Sequence, residues 1–91
     1  MPARTPIDEV LRFLGIDRGF LEALRREGLF EEDELGPEEA DELRIAASLV
    51  HDLGVNPAGV EVVLHLRRRL FVLESRTRES LLRVLGDGDR E

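Results

Sequence analysis

Apolar residues recur at intervals of three and four in the first thirty residues, which predicts two short amphipathic helices. The first is expected to have Thr5 as its N-cap, with Pro6 next, and to end at Gly15. Asp17 is expected to cap the second helix, and Gly28 to end it in a left-handed conformation. The apolar positions of the two helices are Ile7, Val10, Leu11, Leu14, Phe20, Leu21 and Leu24. Their three-residue connection is typical of a helix-turn-helix.

Two longer helices are expected in the rest of the chain. The third, over 37–53, closes at Gly54 and is apolar over much of its circumference, so it should be the central buried helix. Asn56 and Pro57 predict the N-cap and first turn of a fourth helix. That helix, over 57–85, would be about 43 Å long, more than a domain of this size can cover.

The fourth helix carries an apolar seam that extends beyond the predicted domain. The seam follows steps of three and four residues through Val63, Leu66, Leu70, Leu73, Thr77, Leu81 and Val84. This heptad pattern predicts a coiled coil and hence a homodimer. A second stripe is expected to pack against the first three helices: Val60, Val63, Leu64 and Phe71. The chain is thus predicted to comprise a helix-turn-helix-like domain (1–55), a long dimerisation helix (56–85) and a disordered tail (86–91).

Charge changes the interpretation of this helical skeleton. The net charge is −7, and residues 1–53 carry a balance of −8. The twelve residues 31–42 hold eight acids and no base. Glu38 and Glu39 have a simple explanation as first-turn acids of the third helix. The four adjacent acids at 31–34 have no such explanation and repel one another, so we hypothesise that they bind a basic partner.

Several other functions are disfavoured by composition. The chain has no Cys, and His51 and His65 lack neighbouring ligands, so we expect no metal or other cofactor. Four helices offer little concave volume, which argues against an enzyme, catalytic residues or a small-molecule substrate. Residues 67–69 are all Arg but point in different directions on a helix, so we interpret them as solvated coiled-coil flanks. No secretory signal or membrane span is apparent, so the expected location is cytoplasmic.

The order of the helices resembles that of the MerR superfamily of helix-turn-helix regulators. The resemblance covers residues 7–85 and rests on Arg26-Glu27-Gly28-Leu29, Leu43-Arg44 and Leu53-Gly54-Val55. Those proteins place "REGL" at the end of the recognition helix, then a wing, a helix containing "LR", an "LG" turn and an antiparallel coiled-coil helix. The resemblance implies an all-α, MerR-like helix-turn-helix domain with a reduced wing, followed by a long coiled-coil dimerisation helix.

The departures from that family lie at its DNA-facing positions. Where MerR-type regulators typically carry "LRYYEREGL", Glu22 stands at the Arg position, and Ala23 and Leu24 replace the two aromatics. The wing is shortened to residues 31–36. Because cations supply most of the non-specific affinity for DNA, these changes should weaken DNA binding by orders of magnitude. A MerR-type DNA-binding transcriptional regulator is nevertheless the alternative.

The pattern is more similar to the chaperone-modulator (CbpM-like) branch of the superfamily. The residues that carry this similarity are Ala46, Val50, Leu53, Pro57, Gly59 and Val60. Members bind the J-domain of a DnaJ-like co-chaperone and restrain its stimulation of DnaK. The resemblance implies the same function here, with an acidic surface covering the basic helix that a J-domain presents to DnaK. The residues expected to contact the partner are Glu22, Phe30, Glu31, Glu32, Asp33, Glu34 and Leu35.

Overall fold

The structure, a computed structural model, describes the backbone of residues 3–89 and the side chains of residues 3–86. Within these residues the chain is mostly helical, with four helices and one pair of very short strands. In chain order the elements are β1 (Thr5–Pro6), α1 (Ile7–Leu14), α2 (Arg18–Arg26), β2 (Glu34–Leu35), α3 (Pro37–Leu53) and α4 (Pro57–Asp89). The expected all-α class is confirmed at this level.

The N-terminus of α1 differs from the prediction. Thr5 is not the N-cap, because Thr5 and Pro6 form β1 and pair antiparallel with β2, Thr5 opposite Leu35. Pro6 occupies the N-cap position and makes no side-chain capping bond. Instead, the Ile7 amide donates to the Asp33 carbonyl at 2.8 Å. A distant loop therefore satisfies the backbone donor that a local cap would have satisfied.

The turn between α1 and α2 is confirmed. Gly15 adopts φ +69°, and the Ile16 amide donates to the Leu11 carbonyl at 2.9 Å. Asp17 accepts a hydrogen bond from the Phe20 amide at 2.7 Å, as an N-cap residue does. Ile16 is buried in the middle of this turn, which ties the connection to the core.

The end of α2 is also confirmed. Gly28 adopts φ +83°, and the amides of Gly28 and Leu29 donate to the carbonyls of Arg25 and Leu24 at 3.0 and 3.1 Å. This is the bonding pattern of a Schellman motif, in which the left-handed residue is usually Gly. Leu29 is thereby turned into the core, where it is 6% exposed.

The core lies where α1, α2, α3 and the first two turns of α4 meet. Its buried apolar side chains are Ile7, Val10, Leu11, Ile16, Leu21, Leu24, Leu29, Leu35, Leu43, Ala46, Ala47, Val60 and Leu64. The bounds predicted for α3 are correct, with Gly54 at φ +67° as its C-cap. The expectation that α3 is buried around its circumference is only partly right. Leu53, in its last turn, is largely exposed because no other element covers that end.

Most of α4 extends away from the core. Val60 and Leu64 are buried as predicted, but Phe71 is exposed, so the packing stripe ends earlier than expected. The radius of gyration is 17.4 Å, whereas a compact chain of this length would have about 12 Å. The sequence predicts a helix end at residue 85, but α4 continues to Asp89 through Gly86 and Gly88, since each Gly costs only about 1 kcal/mol in a helix. Residues 90–91 of the predicted tail lie outside the described residues.

Candidate interaction surface

The acidic loop, defined here as residues 31–34, projects between α2 and α3. All four of its acidic residues are exposed. Phe30 immediately before it is half-buried and holds a left-handed conformation with φ +53°, which is uncommon for a residue with a side chain. Leu35 immediately after it is 1% exposed and belongs to the core. The loop is therefore anchored at both ends by apolar residues.

Arg25 of α2 fixes the backbone of the acidic loop. Its Nε–H donates to the Phe30 carbonyl at 2.8 Å, and Nη2 donates to the Glu32 carbonyl at 3.2 Å. Nη2 also lies 3.4 Å from the Asp33 carboxylate. Only 21% of the Arg25 side chain is exposed. The Arg25 guanidinium thus donates hydrogen bonds to the backbone carbonyls of Phe30 and Glu32, which are not in a helix or a strand.

Arg4 braces the loop from the other side. Its Nη2 contacts a Glu32 carboxylate oxygen and the Glu34 carbonyl, both at 2.8 Å. Nη1 lies 3.8 Å from a carboxylate oxygen of Glu39. The sequence suggested that the four loop acids repel one another, but Glu32 and Asp33 are each paired with an arginine. Among the described residues, Glu31 and Glu34 are the loop acids whose carboxylates have no ion-pair partner.

The structure brings most of the predicted contact residues together, with one correction. Phe30 and the acidic loop form a continuous segment, and Glu22 is exposed on α2, one turn before Arg25. Leu35 is wrong as a contact residue, because it is sealed in the core and positions the loop from beneath. Sequence reasoning missed the two bracing arginines. The position of Arg25 near the predicted end of the second helix was a weak indication of its role, and nothing in the sequence indicated the role of Arg4.

A group of ion pairs fixes α4 where it leaves the core. Arg68 Nε contacts a Glu42 carboxylate oxygen at 2.8 Å, and Glu42 is only 8% exposed. Arg67 lies 3.5 Å from Asp41 and 4.8 Å from the centre of the Phe71 ring. The interpretation of residues 67–69 as solvated flanks is therefore wrong for the first two. They join α3 to α4 and set the direction in which α4 projects.

Beyond this point the predicted dimerisation seam is exposed. Leu66, Leu70, Leu73, Leu81 and Val84 are each between 53 and 67% exposed, and Val63 is half-buried at the edge of the core. Large apolar residues off the seam are exposed as well: Val62, Phe71, Val72, Leu82 and Leu85. Exposed apolar surface of this extent is unusual for a monomer.

A cleft of about 580 Å³ lies between α1 and the first half of α3. Val10, Leu14, Pro37 and Ala40 are among the residues that line it, and Phe13 forms part of its wall. Phe13 is 90% exposed, the largest exposed fraction among the large hydrophobic residues of the described chain. The helical pattern did not single out this residue.

The remaining chemistry of the described chain is sparse. Within the described side chains of residues 3–86, no group of three or more His, Asp or Glu could hold a metal ion. His51 stacks on Phe20, with 5.8 Å between ring centroids, so it contributes to packing at the end of α3. None of the helices in this range is both long enough and apolar enough to cross a membrane.

Comparison of the chain with family models, curated proteins and solved structures found no match.

Proposed function

We propose that this protein binds the J-domain of a DnaJ-like co-chaperone and restrains its stimulation of DnaK. In this proposal α1 and α2 are a MerR-like helix-turn-helix that does not bind DNA, and β1 with β2 is its reduced wing. The observation that carries the proposal is the acidic loop: its backbone is fixed by Arg25 and Arg4 while its carboxylates are exposed.

A fixed acidic loop is better suited to recognition than a freely solvated one. Binding costs the freedom of every segment that must be ordered, so a segment already ordered gives more affinity for the same contacts. Glu31 and Glu34 are the strongest candidates for direct contact, because neither is neutralised by an arginine among the described residues. Phe30 adds an apolar neighbour beside these charges.

Electrostatics favours a basic partner. The chain carries −8 over residues 1–53, and a negative field of this kind attracts cationic surfaces and repels phosphate. The basic helix that a J-domain presents to DnaK has the required charge. The proposed mechanism is occlusion, in which the modulator covers that helix and DnaK cannot reach it.

The exposed seam of α4 supports an antiparallel homodimer. If the two helices cross between residues 73 and 74, Leu66 faces Leu81 of the second copy and Leu70 faces Thr77. Val63, at the edge of the core, then lies opposite Val84. This register pairs six of the seven seam positions with one another and covers the apolar surface that is exposed in one chain.

DNA binding is the competing function, and α2 does retain some exposed cations. Arg18 and Arg26 are exposed, but Arg18 is paired with Asp8 of α1. Arg25, which would be the next candidate, is committed to the acidic loop. The surface that would approach a phosphate backbone therefore presents Glu22 and the loop acids together with few available cations.

The proposed contact can be tested without disturbing the loop itself. Reversing all four acids would place new cations beside Arg4 and Arg25, whereas Glu31→Lys with Glu34→Lys leaves both ion pairs intact. We expect this double reversal to raise the Kd for an isolated DnaJ-like J-domain about tenfold or more, since opposed charges become like charges. The measurement is isothermal titration calorimetry at two salt concentrations.

The matched control is Asp52→Lys with Glu79→Lys. These two exposed acids lie far along the chain from the loop and give the same change in net charge. We expect them to change the J-domain Kd less than about threefold, because exposed charges more than a Debye length apart are largely screened. Equal losses in the two variants would mean that net charge alone attracts the partner, and unchanged binding in the loop variant would refute the contact.

A further inference from the structure

The cleft between α1 and α3 has the composition of a site for a partner's apolar side chains. Aliphatic residues from both helices, together with Pro37, form the apolar part of its lining. Phe13 stands at the surface of this cleft with nine-tenths of its area in water. Burial of an exposed aromatic side chain against a partner is favourable, and buried aromatic residues contribute much of the binding free energy in many protein interfaces.

The cleft is continuous with the acidic loop. Thr5 is among its lining residues, and Thr5 pairs through β1 with Leu35, the residue immediately after the loop. The next pair along the ladder, Pro6 with Glu34, joins the same strand to one of the two unpaired loop acids. A single rigid partner can therefore contact the loop and the cleft together.

The charges at the cleft indicate which kind of partner fits. Glu9 is exposed on its wall and has no ion-pair partner among the described side chains. Asp41 is already held by Arg44 at 2.8 Å, so Arg44 does not present a free cation to a ligand. The available charge is therefore negative at the cleft and negative at the adjoining loop.

We propose that this cleft binds the apolar face of a basic amphipathic helix, with Phe13 packing beside that helix and Glu9 contacting one of its cations. This proposal rests on the proposed function, since the helix would belong to the J-domain bound by the acidic loop. It adds a second, apolar half to the interface and makes Phe13 a determinant of specificity. A helix that carries positive charge without an apolar stripe would then bind only weakly.

The test replaces Phe13 by Ala, and Leu53→Ala serves as the control. Both side chains are large, apolar and mostly exposed, but only Phe13 lines the cleft. We expect Phe13→Ala to raise the J-domain Kd about tenfold or more, as truncation of an interface aromatic does. Leu53→Ala should change it less than about threefold, and neither change should alter helicity by circular dichroism. An unchanged Kd for Phe13→Ala would overturn the proposal.

A second probe separates this proposal from the function on which it rests. A synthetic helical peptide with Leu on one face and Lys on both flanks is titrated into the full chain and followed by two-dimensional NMR. Shifts concentrated on Phe13, Leu14 and Ala40 support the cleft even if no J-domain binds, in which case only the proposed function fails. Shifts confined to the acidic loop, or no shifts at all, overturn the cleft site. A Phe13→Ala variant with the mass of a monomer would also overturn the proposal, since the cleft would then be occupied by a second copy of the chain.

Discussion

Replacing Arg25 by Met tests whether one guanidinium holds the acidic loop in place. The change keeps an unbranched apolar stem and removes the guanidinium, and with it the hydrogen bond to the Phe30 carbonyl at 2.8 Å. A hydrogen bond from a charged donor contributes about 1.5–3 kcal/mol, while the longer contacts to Glu32 and Asp33 are exposed and contribute less.

We therefore expect the free energy of unfolding to fall by about 2–3 kcal/mol in Arg25→Met. Urea denaturation followed by circular dichroism at a fixed protein concentration would show the midpoint lowered by roughly 1–2 M. Arg26→Met is the control, since Arg26 is adjacent, exposed and without an ion pair among the described residues. Equal midpoints for the two variants would refute the role given to Arg25.

Three further outcomes follow from the structure. Leu70→Glu should convert a dimer into a 10.3-kDa monomer, as measured by light scattering at about 50 µM. Ser75→Glu lies off the seam and should leave the dimer intact. A monomeric wild-type protein would contradict the proposed dimer. No duplex should be shifted on a native gel below about 10 µM protein at roughly 150 mM salt, and tight binding to a specific sequence would favour the DNA-binding alternative. Arg68→Met should destabilise the fold by about 1–3 kcal/mol because it leaves the Glu42 carboxylate buried without its partner. Arg69→Met should not destabilise the fold, and equal effects of the two changes would contradict the coupling of α3 to α4.

Most of the helix ends were predictable because local chemistry sets them. Asp17 caps α2 from three residues away, and Gly54 ends α3 one residue after its last turn. The length of α3 was therefore correct from sequence. The exposed seam of α4 was also foreseen in outline, because a heptad pattern extending past its own domain has nothing else to pack against.

The form of the acidic loop was not predictable, because it depends on contacts between distant parts of the chain. Arg4 and Glu32 are 28 residues apart, and β1 pairs with β2 across a similar separation. Strands of two residues leave no alternating pattern to detect. Leu35 illustrates the consequence: beside four acids it was expected at the surface, yet the strand pairing turns it into the core. Phe13 is the opposite case, an apolar residue outside the helical pattern that no neighbour covers.

The most direct test of the central claim is the rate at which DnaK hydrolyses ATP in a single turnover stimulated by a DnaJ-like J-domain. The account predicts that adding this protein lowers the stimulated rate in a saturable way to the unstimulated rate. The Glu31→Lys, Glu34→Lys variant should leave most of the stimulation in place, and Asp52→Lys with Glu79→Lys should inhibit as the wild type does. A stimulated rate that is unchanged at saturating wild-type protein would contradict the account.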